Sequence, residues 1–111
     1  MDSPQSLSLD RADFAREVAA HERPALLGFS AAWCTPCRPM AGVFTNLTRA
    51  FGKRVLISTV DIDVEPELAE QLGVGSVPTL IFFRAGKEIK RQLHHSNEAE
   101  LEREIVQLLL S

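Results

Sequence analysis

The sequence predicts one α/β domain, in which helices cover both faces of a central, mixed but mostly parallel sheet that ends in an antiparallel hairpin. Three observations predict it. Continuous apolar or Val/Ile-rich runs stand at 25–30, 54–60 and 79–83, as in strands covered on both faces. Between them, apolar residues recur every three or four positions, the period of a helix. The resulting order, β-α-β-α-β-α-β-β-α, is that of a sheet layered with helices.

The elements follow in turn. Residues 1–5 are polar around Pro4 and read as a frayed tail. Ser6-Leu7-Ser8-Leu9 alternates, which predicts a short edge strand. Asp10 can cap a helix over 11–21, with Phe14 and Val18 four apart on its buried side, and Pro24 closes that segment. The run 25–30 is the first buried strand. The next helix carries Met40, Val43, Phe44, Leu47 and Phe51 on one face, and Pro39 and Gly42 predict a bend near its start. Residues 54–60 form a second buried strand. A short helix over 66–72 has proline first and Gly73 just past its end. The third buried strand spans 79–83, and Ala85-Gly86 turns it into a more polar strand over 87–93. In the last helix Asn97 can cap, Glu100 follows three residues later, and Leu101, Ile105, Leu108 and Leu109 make one apolar stripe.

Composition narrows the function. Two cysteines in 111 residues are too few for a disulfide-stapled scaffold or a four-cysteine metal site. Hydrophobic residues at 45% and charged residues at 24% are globular values, which argues against wholesale disorder. A formal net charge of −3 favours neither nucleic acid nor an anionic membrane as partner. The longest apolar runs, such as Leu80-Ile81-Phe82-Phe83, fall far short of the ~20 residues that span a bilayer. The start, Met1-Asp2-Ser3-Pro4-Gln5, has no basic and apolar leader pattern, so the chain reads as cytoplasmic. Nothing calls for an oligomer, and the expectation is a monomer of residues 1–111 as one domain.

The chemistry concentrates in Trp33-Cys34-Thr35-Pro36-Cys37-Arg38, where a buried strand gives way to a helix. At a helix N-terminus, unpaired N–H groups and the dipole favour an anion, and a thiolate is that anion. Lowering a cysteine pKa from about 8.5 toward 7 takes ~2 kcal/mol and raises the thiolate fraction at neutral pH to about half. The two-residue spacer brings Cys37 within disulfide reach of Cys34 and into a more shielded place, with Pro36 stiffening the turn. Cys34 is then the attacking thiol and Cys37 the resolving one. Two other readings of the pair stand beside this one. Half a zinc site needs two further ligands, and the histidines are His21, His94 and His95; adjacent His94-His95 lacks the usual spacer. A purely structural disulfide closes too short a loop to stabilise much. No metal is expected.

With Val77-Pro78-Thr79 opening a buried strand some forty residues on, Asp61-Ile62-Asp63 after the second strand and Gly86 in the hairpin turn, the chain resembles the thioredoxin family along essentially its whole length. The resemblance implies the thioredoxin fold and a protein-disulfide reductase. Cys34 would attack a client disulfide and Cys37 would release the reduced client, leaving a reversible Cys34–Cys37 disulfide and no bound cofactor. It implies disulfide-containing client proteins as partners, and electrons from NADPH through a thioredoxin reductase. Pro78 would be cis beside the cysteines, the Val77 backbone would pair with an extended client, and Trp33, Pro36, Val77 and Pro78 would form an apolar rim. Trp33 taken alone also reads as a partly buried core aromatic.

Five positions depart from the family pattern. Gly28 stands where the family has a buried aspartate that accepts the resolving cysteine's proton, and Thr59 where it has the accompanying lysine. Thr35 replaces a spacer glycine and is expected to change the redox poise, in a motif where Trp33, Thr35, Pro36 and Arg38 together tune the pair. His94 replaces a groove glycine, which places an imidazole either at the client groove or simply on the exposed strand; His95 reads as surface. Gly42 replaces a kink proline. These departures suggest altered potential or slower turnover. They also keep a second reading in view, a thioredoxin-fold adaptor or chaperone that binds clients with little redox turnover.

Overall fold

A computed structural model describes residues 9–20 and 23–110. The tail over 1–5, all but the last residue of the edge strand expected over 6–9, and the end of the first helix with His21 lie outside them.

Asp10 caps the first helix: its Oδ1 accepts the Asp13 N–H at 2.7 Å. Helix α1 runs Arg11–Phe14 and widens into a π-helical turn over Ala15–Ala19, closed by the Ala20 N–H on the Ala15 carbonyl at 3.0 Å. Phe14 and Val18 are buried as the spacing predicts, because four residues lie near one turn in either helix type.

Strand β1 is Ala25–Ser30, α2 is Arg38–Phe51, β2 is Leu56–Asp61, α3 is Pro66–Gln71, β3 is Thr79–Arg84, β4 is Lys87–Gln92 and α4 is Glu98–Leu110. Irregular backbone precedes α2, as a 3-10 turn over Thr35–Cys37. Pro39 falls in the first turn of α2, where its missing N–H would have no helical partner anyway. Helix α3 ends in a Schellman pair: Val74 N–H donates to the Ala69 carbonyl and Gly73 N–H to that of Glu70, with Gly73 at φ +69°. Ala85 at φ +54° and Gly86 at φ +78° make the tight hairpin turn. Asn97 caps α4, its Oδ1 accepting the Glu100 N–H at 2.9 Å.

The sheet order is β2-β1-β3-β4. Among the described strands it is mixed, as expected, but not mostly parallel: β1 and β2 are parallel, whereas β1–β3 and β3–β4 are antiparallel. The reason is the length of α3. Six residues of helix rise about 9 Å, less than half the ~20 Å of a six-residue strand. The chain therefore enters β3 at the end of the sheet where it left β2, with Asp61 beside Ser30 and Thr79 beside Phe29. That end carries the site.

Each face of the sheet has its own core. Leu26, Ile57, Leu80 and Phe82 pack under Met40, Phe44 and Leu47 of α2 and Leu101, Ile105 and Leu108 of α4. On the other face, Ala25, Leu27, Phe29, Val60, Ile81 and Phe83 pack with Phe14, Val18 and Leu68. The rings of Phe14 and Phe83 meet edge to face, with centroids 5.4 Å apart. Alternation along β1 and β2 thus turns Leu26, Gly28 and Ser30, and Ile57, Thr59 and Asp61, toward α2. No described helix is long and apolar enough to cross a membrane.

Candidate active site

After β1 the chain makes two tight turns. The Cys34 N–H donates to the Ala31 carbonyl at 3.0 Å, and the Cys37 N–H donates to the Cys34 carbonyl at 3.2 Å. Pro36 supplies a fixed φ within that second turn. The result sets the two Cα atoms 5.4 Å apart, joined by a Cys34–Cys37 disulfide, within the usual span for such a bond. Cys34 stands at the cap of the 3-10 turn and Cys37 at the cap of α2. The expectation that Cys37 is the more shielded is not met: the residues are 3% and 5% exposed, in that order.

Ala31, Cys34 and Cys37 form a small apolar cluster, with Ile62 and Val77 packed against it. The Val77–Pro78 peptide bond is cis, and Pro78 is buried. The loop is tied on both sides. Thr79 Oγ1 donates to the Ser76 carbonyl at 2.7 Å, and Arg91 of β4 donates to the carbonyls of Leu72 at 2.6 Å and Gly73 at 3.2 Å. Arg91 is held by Glu88 through two bonds of 2.8 Å. Their pairing holds the Glu88 carboxyl below its ordinary range and raises the Arg91 guanidinium.

Trp33 is 65% exposed, so the core-aromatic reading fails. Its Nε1 donates to Asp63 Oδ2 at 2.9 Å, which holds the ring beside the disulfide turn. Thr35, Pro36 and Arg38 are exposed around it. His94 is exposed too, but it lines a groove with Lys90, Gln92, Ser96 and Glu100 beside α4 rather than the groove that the cysteines line. His95 is not simple surface. It is half-buried with Nδ1 shut away from a partner, and burial, then the neighbouring His94 charge, lowers its pKa.

Under the disulfide, Gly28 carries no acid and leaves no room for one. A Cβ built there would lie 2.7 Å from the Phe44 ring and 2.8 Å from Met40 Sδ. Likeness to the family marks the missing aspartate but not what fills its place, because Met40 and Phe44 read only as the apolar face of a helix. Nothing along the chain joins Asp63 to Trp33; Asp61-Ile62-Asp63 reads only as a pattern. Among the described residues no three His, Cys, Asp or Glu side chains gather as metal ligands.

The profile of the Thioredoxin family matches residues 5–107. A thioredoxin of Alicyclobacillus acidocaldarius is 33% identical over 104 residues, covering 94% of this chain and 98% of that one. A bifunctional thioredoxin reductase/thioredoxin of Mycobacterium leprae is 30% identical over 100 residues, 90% of this chain and 22% of its own length. Among solved structures, Malassezia sympodialis thioredoxin superposes with a TM-score of 0.77 at 25% identity, covering 89% of this chain and 88% of that one.

Proposed function

The chain belongs to the thioredoxin family, and from that premise we propose that Cys34 supplies its attacking thiolate and Cys37 its resolving thiol. The chain is a dithiol–disulfide oxidoreductase of the protein-disulfide reductase kind. In the proposed sequence, the Cys34 thiolate attacks one sulfur of a client disulfide, and the other client sulfur leaves as thiolate. Cys37 then attacks Cys34, the mixed disulfide breaks, and the client leaves with two electrons more while Cys34 and Cys37 are joined.

The observation that carries the reading is the Cys34–Cys37 disulfide at the cap of the 3-10 turn, packed against Val77 at the cis bond. The N–H groups of the turn favour a thiolate at Cys34. Exposed Trp33 and Pro36, with half-buried Val77 and buried Pro78, supply an apolar seat on which an extended client strand would pair with the Val77 backbone. Thr35 and Arg38 would tune the poise of the pair, Arg38 by its charge. His94 faces the α4 side and belongs to the client seat only at its edge.

The remaining parts of the reading concern supply and setting. Residues 1–111 act as one thioredoxin-like unit, a monomer in the cytoplasm. Electrons come from NADPH through a thioredoxin reductase, a reading supported by the Mycobacterium leprae relative whose name joins the two functions. The test is an NADPH-coupled insulin-reduction assay with wild type and Cys34→Ser. NADPH oxidation that needs both the chain and a thioredoxin reductase, and is lost in Cys34→Ser, is the expected result. Reduction driven by dithiothreitol but by no reductase would refute the NADPH route. Activity that survives Cys34→Ser would refute the nucleophile.

A further inference from the structure

We infer that Asp61 is the proton acceptor for Cys37, working through water in the groove behind the disulfide; the inference rests on Cys37 being the resolving thiol. Chemistry sets the need. Once Cys34 holds a client in a mixed disulfide, Cys37 can attack only as a thiolate. A thiol of ordinary pKa about 8.5 is mostly protonated at neutral pH, and burial keeps it so.

The geometry points to one taker. Along the α2-facing side of β1 and β2, Phe44 and Met40 close the space at Gly28. One step nearer the site, the space opens into a groove of about 250 Å³ lined by Cys34, Cys37, Arg38, Ser30, Thr59 and Asp61. That volume holds several waters at about 30 Å³ each, and the Ser30 and Thr59 hydroxyls offer them partners. Among the described residues, Asp61 is the one carboxylate lining the groove, and Arg38 is the one cation. The nearby Asp63 carboxylate is turned to Trp33. Asp61 is fixed in place, its Oδ1 accepting the N–H groups of Asp63 at 2.8 Å and Val64 at 3.3 Å.

The step balances. The Cys37 thiol gives its proton through water to the Asp61 carboxylate. The Cys37 sulfur pair attacks Cys34 Sγ, the Cys34–client bond breaks, and its electron pair leaves on the client sulfur. The proton on Asp61 passes through the groove water to solvent, and the leaving thiolate takes its own proton from solvent. Asp61 thus acts on Cys37 without touching the client.

The test uses Asp61→Asn, whose side-chain oxygen can still accept the two turn N–H groups. A mixed disulfide of Cys34 with 2-nitro-5-thiobenzoate is formed at about pH 4, where Cys37 stays protonated, and then jumped to values between about pH 5 and 9. Release of the coloured thiolate reads the resolving step. The expected result is a loss of at least about tenfold at neutral pH in Asp61→Asn. That loss shrinks toward about pH 9, as hydroxide takes the proton directly and the need for a carboxylate falls. Thr59→Val, which removes a water partner and leaves Asp61 intact, is expected to slow the same neutral limb. Superimposable profiles, or an equal loss at every pH, would overturn the role. Faster release in Asp61→Asn at neutral pH would also overturn it, since Asp61 would then only repel the thiolate. A wild type that releases nothing would overturn the Cys37 assignment and this role with it.

Discussion

Replacing Gly28 by aspartate would place a carboxylate where the Phe44 ring and Met40 sulfur already sit, at 2.7 and 2.8 Å from the first added carbon. Overpacking of this kind costs about 1–3 kcal/mol, and an acid buried among apolar groups adds to it. Gly28→Asp is therefore expected to lower the urea midpoint, and Phe44→Leu in the same background to recover part of the loss by freeing volume. Gly28→Asp as stable as wild type would mean that the pocket is not packed as described. His95 makes a second residue-scale prediction. Its pKa is lowered in the fold, so the unfolded chain binds the proton more readily. The associated stability is present above about pH 6.5, the unfolded value, and is lost as pH falls through the folded pKa. Melting temperature should drop on acidification below pH ~6.5, and less in His95→Gln. Both residues show where sequence reading ran short: a glycine's neighbours and a histidine's burial are set by tertiary packing, which spacing along the chain does not carry.

At the scale of elements, the hairpin and the Arg91 clamp are the informative cases. Ala85 holds a positive φ that favours Asn or Gly, so Ala85→Asn is expected to stabilise by about 0.5–1 kcal/mol. Gly86→Ala should destabilise, because a Cβ there would sit 2.7 Å from the Ala19 carbonyl oxygen and φ is +78°. A urea titration of the two variants checks both signs. Arg91→Ala removes the donors on Leu72 and Gly73, and amide hydrogen exchange over 72–78 should quicken while that of β1 stays unchanged. The turns and caps were readable in advance, because Asp10, Gly73, Gly86 and Asn97 act on their own backbone within a few residues. The clamp was not: Arg91 read only as part of a polar strand, and its partners lie 18 and 19 residues away.

For the whole molecule, order along the chain revealed the layers but not every strand direction. Alternating helix and strand led to the expectation of mostly parallel pairing, and the shortness of α3 reverses β3. That reversal has a functional result. It returns the chain to the end of the sheet where Ser30, Asp61 and the cysteines lie, and so sets Val77 against the disulfide. The cysteine pair itself was legible because a strand, a two-residue spacer and a helix are local features. The contact with Val77, forty residues on, came only through likeness to a family. The claim that binds these scales is that Cys34 takes the client and Cys37 lets it go. The most direct measurement is mass spectrometry of mixed disulfides after each single variant meets oxidised insulin. Cys37→Ser should accumulate an insulin adduct at Cys34, and Cys34→Ser should accumulate none at Cys37. An adduct on Cys37 alone, or none on either, would contradict the account.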